Sequence, residues 1–290
     1  MLAEADLRLA VTQAYAEAVA ADRRQQTAAD QAQIAAAASR AARVRVDAGR
    51  ASPIEVQRAD VERHNADAQD RQARRQAEVA RQHLTRLIGA PADGPLDGAW
   101  FQAIPAVAAK AAGRDSLELA IADADLAGVR LAQSQRVPDL TLGAGVRRLQ
   151  NSDSTAAVFS VSVPVPLFNG GRAALSGARA ERDAAEARQR QARLELERAI
   201  AQTQADAADA AVLAETATGP ALAAAEEAAR IARIGYTNGK FGQLELLDAE
   251  RTLAKTRTAA IDALLATHIA MARLERLTAR APFTQPEPGN

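Results

Sequence analysis

The chain has no cysteine, which excludes a disulfide framework, a thiolate metal centre and a cysteine nucleophile. Aromatic residues make up 3% of its 290 positions, too few to fill a thick globular core. No apolar run reaches the roughly 18–20 residues of a membrane-crossing helix. Neither charge is in excess: 36 basic and 36 acidic residues are interspersed, leaving no basic patch for nucleic acid and no acidic tail. Residues 1–15 lack the basic start, apolar middle and cleavage site of a secretory signal. No nucleophile elbow, phosphate-cradling loop or Ser/His/Asp set is present, and Gly143-Ala144-Gly145 lacks the third glycine of a dinucleotide site. His64, His83 and His268 lie far apart and read as surface helix residues rather than ligands. No enzymatic activity, cofactor or metal centre is expected.

What the chain does have is alanine, roughly a quarter of all residues. Small side chains suit helices packed closely along their length. One helix is expected over 2–47 and a second over 54–89. Between them Gly49 can close the first in the left-handed region, Ser52 can cap the second, and Pro53 fits its first position. Residues 90–113 read as an irregular connector with a short helical piece near 105–112. A third helix is expected over 116–136, capped by Asp115 or Ser116.

Residues 139–168 break the helical pattern. Leu140, Leu142, Ala144 and Val146 alternate with Thr141, Gly143, Gly145 and Arg147. The turn Asn151-Ser152-Asp153-Ser154 follows, and then Phe159, Val161, Val163 and Val165 alternate with small or polar residues. This is a β-hairpin with arms of roughly 9–11 residues, long enough for a tilted membrane strand. On pattern alone a soluble β-layer fits as well. Arg147 stands on the polar, lumen-facing side if the first strand reaches it, and in a loop if that strand is shorter.

A very long helix is expected over 172–237, with a heptad seam through Leu196, Ile200, Thr203, Ala207, Ala210, Ala214, Ala217, Ala221, Ala224 and Ala228. Gly219-Pro220 should kink or break it. A turn at 237–242, a return helix over 243–279 and a polar, disordered tail at 281–290 complete the chain.

A shift of 190 residues, without a gap, superimposes the two helix–turn–helix units: Val44 on Ile234, Gly49 on Gly239, Arg50 on Lys240, Glu55 on Glu245 and Leu84 on Leu274. We read this as an internal duplication. It divides the chain into a partial first repeat (1–89), a connector (90–113), which the resemblance stated below would place in an equatorial belt, and a second repeat (114–280). The first repeat has no counterpart of the hairpin, so a protein missing its front is expected.

Two motifs then carry a resemblance that spans about residues 2–280. One is the strand-to-helix run Val163-Pro164-Val165-Pro166-Leu167-Phe168-Asn169-Gly170-Gly171-Arg172. The other is the tip run Arg233-Ile234-Gly235-Tyr236-Thr237-Asn238-Gly239-Lys240, followed by Leu244-Glu245-Leu246-Leu247-Asp248-Ala249-Glu250. Together they resemble the TolC-type outer-membrane factors, most closely the cobalt–zinc–cadmium subgroup.

The resemblance implies a mainly α fold, with a periplasmic α-barrel of long antiparallel helices and one hairpin of an outer-membrane β-barrel. It implies a passive export duct of a tripartite, RND-type efflux system for heavy-metal cations. The partners it implies are two further copies in a homotrimer, a periplasmic adaptor, an inner-membrane transporter and outer-membrane lipid. Tyr236, Gly239, Lys240, Glu245 and Asp248 would form the periplasmic aperture, with Gly49, Arg50 and Glu55 at the first-repeat tip. The basic residue of the family's closing network has no match here: Phe241 stands in its place, beside Lys240. A periplasmic adaptor or a coiled-coil scaffold is the alternative. Two helical hairpins and one β segment argue against the adaptor, and the β-hairpin argues against the scaffold.

Overall fold

The computed structural model describes residues 2–107, 141–149, 154–162 and 172–279. They form helices α1 (Leu2–Asp47), α2 (Pro53–Ile88) and α3 (Gly98–Gln102), strands β1 (Thr141–Leu149) and β2 (Ser154–Ser162), and helices α4 (Arg172–Thr218), α5 (Pro220–Thr237) and α6 (Gln243–Leu277). The expected helix at 116–136, the turn residues 151–153, most of the strand-to-helix motif and the tail at 281–290 lie outside the described residues.

The chain divides into two units, one holding α1, α2, α3, the part of α4 from Ala199 onward, α5 and α6. Its core is thin and built largely of alanine. On α2, Ala59, Ala66 and Ala73 recur every seven residues and are buried against α1. Near the connector, Ala14, Ala18 and Leu84 pack with Ala92, while Val19, Phe101, Ala214, Ile261 and Leu264 form a second cluster. Arg81 joins three segments here. It grips Asp22 of α1 through two hydrogen bonds and donates to the carbonyls of Ala92 (2.6 Å) and Gly94 (3.0 Å). The Asp22 carboxylate raises the Arg81 guanidinium further above its ordinary range.

A helical turn of the connector lies at 98–102, and most of the piece expected near 105–112 lies outside the described residues. Asp97 decides the turn's position: its carboxylate accepts from the backbone N–H groups of Ala99 (2.9 Å) and Trp100 (3.0 Å). Residues 105–107 are not helical. His268 also departs from expectation. Whereas His64 and His83 are exposed, His268 is 4% exposed. It stacks on Trp100 at 4.2 Å between centroids, and its Nε2–H donates to the Phe101 carbonyl at 2.9 Å. Its ring pins α3 to α6. Burial lowers its pKa, and the backbone hydrogen bond opposes that only in part.

Gly219-Pro220 breaks the long helix outright, because Pro220 has no N–H to continue the ladder and starts α5. The break also moves the seam. Leu196, Ile200, Ala207, Ala210 and Ala214 are buried as the heptad requires, but Ala221, Ala224 and Ala228 are exposed. Ala225, Ala229 and Ala232 are buried instead, one residue later.

In the second unit β1 and β2 pair antiparallel, with Leu142 opposite Val161, Gly143 opposite Ser160 and Ala144 opposite Phe159. Apolar residues therefore face apolar ones, and Leu142, Phe159 and Val161 are all strongly exposed. Ser154, expected in the turn, begins β2. Arg147 lies within β1, opposite Ala156, rather than in a loop.

Candidate functional site

The two helix–turn–helix tips share one backbone geometry. In the first, Gly49 has φ +69°, its N–H donates to Val46 (2.9 Å), and the Arg50 N–H reaches back to Arg45 (2.8 Å). In the second, Gly239 has φ +69°, with the matching bonds from Gly239 to Tyr236 (3.0 Å) and from Lys240 to Gly235 (2.8 Å). Each is a Schellman closure, in which a left-handed residue lets two backbone donors satisfy the last carbonyls of the helix. The 190-residue shift maps one set of bonds onto the other, and it also maps the start of α2 at Pro53 onto the start of α6 at Gln243. Ser52, expected to cap α2, makes no side-chain capping bond.

Side chains then distinguish the two tips. The Phe241 ring lies over Gly235, where any Cβ would collide with it. Tyr236 is buried, at 9% exposure, among Ala232, Leu246, Ala41 and Ala249, and the Arg45 guanidinium sits 5.1 Å above its ring. This places a cation on the π-face and joins α1 to α5. The Tyr236 hydroxyl is buried and makes no hydrogen bond within the protein. Lys240, Glu245, Asp248, Gly49 and Arg50 are exposed. Glu245 and Asp248 are one helical turn apart on α6, so both carboxylates are presented on one face.

Behind the tip, ion pairs tie the helices together. Glu250, whose side chain is 3% exposed, is held by both Nε and Nη2 of Arg233. That hydrogen-bonded carboxylate raises the Arg233 pKa, against the effect of burial. Arg251 of α6 grips Glu62 of α2, and Arg24 of α1 grips Asp262 of α6 at 2.6 Å. On the α1–α2 side, Asp60 accepts from Ser39 (2.7 Å) and Arg43, and the Ser39 bond is the main cause of its lowered pKa. The tip run contains Arg233 and Glu250, but their pairing across 17 residues is set by how α5 folds back on α6. Among the described residues no cluster of His, Cys, Asp and Glu could hold a metal ion, and no helix is long and apolar enough to cross a membrane.

Residues 115–280 match the outer membrane efflux protein family. Over 285 residues the chain is 31% identical to the cobalt-zinc-cadmium resistance protein CzcC of Cupriavidus metallidurans, covering 95% of this chain and 68% of that protein. The chain belongs to the outer membrane efflux protein family. Solved structures agree on the fold. VceC of Vibrio cholerae, an outer membrane protein, superimposes with a TM-score of 0.73 at 20% identity, covering 96% of this chain and 72% of its own. The outer-membrane channel OprN gives 0.71 at 23% identity, covering 97% and 69%. As an outer membrane efflux protein the chain is a channel subunit of the outer membrane, a passive conduit and not an enzyme.

Proposed function

We propose that this subunit is the outer-membrane duct of a tripartite pump that exports heavy-metal cations. Three copies would form the tube. The β1–β2 hairpin would enter the membrane with Leu142, Phe159 and Val161 toward lipid and Arg147 toward the lumen. The helices would extend into the periplasm, where the two tips meet an adaptor that links the duct to an RND-type transporter. The repeat division (1–89, 90–113 and 114–280) belongs to this reading.

The observation that carries it is the 31% identity to a cobalt-zinc-cadmium resistance protein along 95% of the chain. The tip chemistry agrees with it. In a trimer, the exposed Glu245 and Asp248 would form stacked rings of carboxylates at the pore mouth, which favours cations over anions. Gly49, Arg50, Glu55, Gly239 and Lys240 would shape the surface around that mouth, and the buried Tyr236 would fix α5 against α1 beneath it.

The test is complementation. The gene product, with any in-frame sequence that precedes Met1 in its genome, is expressed in a strain lacking its own metal-efflux duct, and growth is measured in graded zinc, cobalt and cadmium. We expect restored tolerance, reduced by E245Q together with D248N at equal protein level. Restored tolerance to organic antimicrobials without any to metals would overturn the cargo assignment.

A further inference from the structure

A groove of about 940 Å³ lies between α1, α2 and α6, behind the tips. Its lining spans residues 24–35 of α1 and 62–72 of α2, so it is about 16 Å long at about 1.5 Å of rise per residue. Alanine makes the room: Ala28, Ala35, Ala66 and Ala254 put single methyl groups where longer side chains would fill the space. An ion pair between helices stands toward each end. Arg251–Glu62 joins α6 to α2 at the end nearer the turns, and Arg24–Asp262 joins α1 to α6 at the other.

The charges in this groove neutralise one another, with one exception. Glu62 and Asp262 each accept two N–H groups of an arginine, and Glu250, also on the wall, accepts two from Arg233. A bare metal cation would have to displace a guanidinium from each carboxylate, so the groove disfavours cations. Lys255 is left over. It is exposed and makes no ion pair or hydrogen bond among the described residues. It stands one helical turn beyond Arg251, whose Nη1 takes no part in the Glu62 pair. The surplus charge therefore favours an anion. Amides make up much of the remaining polar wall. Gln31, Asn65, Gln69 and Gln72 have no hydrogen-bond partner among the described residues, and the Gln31 Nε2 is also shielded from solvent. Each amide offers an acceptor oxygen and two N–H donors, and a hydroxyl, which both donates and accepts, is its complement. No aromatic ring stands among the lining residues, so a flat apolar solute has nothing to stack on. The volume suits a small organic molecule and far exceeds a bare anion.

We propose that this groove binds a polyhydroxylated organic acid, with its carboxylate at Lys255 and Arg251 and its hydroxyls on the amides of α2. The helix directions agree. Both α2 and α6 run away from the turns, so four residues beyond the Arg251–Glu62 tie Lys255 stands level with Asn65 and Ala66, and Gln69 lies one turn farther on. The site goes beyond the duct function and does not depend on which cargo the duct carries.

The intact chain, purified in detergent, is titrated calorimetrically with three probes. Gluconate carries both a carboxylate and a run of hydroxyls, sorbitol has the same carbon chain without the carboxylate, and acetate has the carboxylate without the hydroxyls. The titrations are repeated on K255Q and Q69A. Both side chains are exposed, so thermal midpoints should match that of the unsubstituted protein. Gluconate should bind saturably, and sorbitol and acetate at least tenfold more weakly. K255Q should weaken gluconate binding at least tenfold, and Q69A several-fold. Three results would each overturn the proposal: no saturable gluconate binding, acetate bound as tightly as gluconate, or equal gluconate affinity in K255Q and the unsubstituted protein.

Discussion

Removing Arg233 should harm the tip far more than neutralising its partner. Glu250 is 3% exposed and Arg233 is 46% exposed, so the pair is asymmetric. In R233A a buried carboxylate loses both of its hydrogen-bond donors, and an uncompensated buried charge costs about 3–5 kcal/mol. E250Q instead leaves a half-exposed guanidinium that water can solvate, at about 1 kcal/mol. Native-state hydrogen exchange reads both effects locally. At pH 7 the amides of residues 230–253 in R233A should exchange about 100-fold faster or more than in the unsubstituted protein, and in E250Q about tenfold or less, since each 1.4 kcal/mol is a factor of ten. An E250Q effect as large as that of R233A would refute the reasoning.

Two further outcomes follow from backbone geometry and from burial. G49A and G239A should each cost about 1–2 kcal/mol, because each forces alanine into the left-handed region while its new Cβ meets nothing within 4 Å; equal shifts in the thermal midpoint, absent in the control G94A, check this. His268 is held neutral by burial, its pKa below the ordinary 6.5, so the clasp over Trp100 and Phe101 should be fully stable above about pH 6.5 and weaken as pH falls below it; tryptophan fluorescence during denaturation at pH 7.5 and 5.5 should show that loss in the unsubstituted protein and not in H268F.

Features coded by backbone chemistry were legible in the sequence. Gly49 and Gly239 announce left-handed closures, Pro53 and Pro220 announce helix starts, and a gapless 190-residue shift carries one tip onto the other down to individual hydrogen bonds. Alternation in the hairpin likewise marks which residues share a face of β1 and of β2, while the register of their pairing came from the structure. Features that depend on which helix lies opposite were not legible. A heptad drawn through Ala217, Ala221 and Ala228 cannot register that Pro220 resets the phase, because alanine fills the neighbouring positions as readily. His268 carried no local signal of burial, since its partners Trp100 and Phe101 lie more than 160 residues away. Asp97 was an overlooked local cue: a capping residue ahead of Gly98 marks the helical turn at 98–102.

The departure at Phe241 shows how the remaining part of the tip is organised. Where the resemblance calls for a basic residue, this chain places a ring on Gly235, and the neighbouring Tyr236 is buried with its hydroxyl unpaired. A tyrosine that closes a polar network needs its hydroxyl satisfied; this one is held by its face, under Arg45. Charged links between the hairpins lie farther back, among them Arg251–Glu62, Arg24–Asp262 and Arg276–Asp6. These pairs are partly exposed, so salt weakens them. Apolar packing at Phe241 and Tyr236 is insensitive to salt in that way. The tip therefore combines an apolar closure at its end with ionic ties behind it, and the two respond to different conditions. Raising ionic strength should loosen the contact of α6 with α1 and α2 while leaving the turn at Gly239 in place.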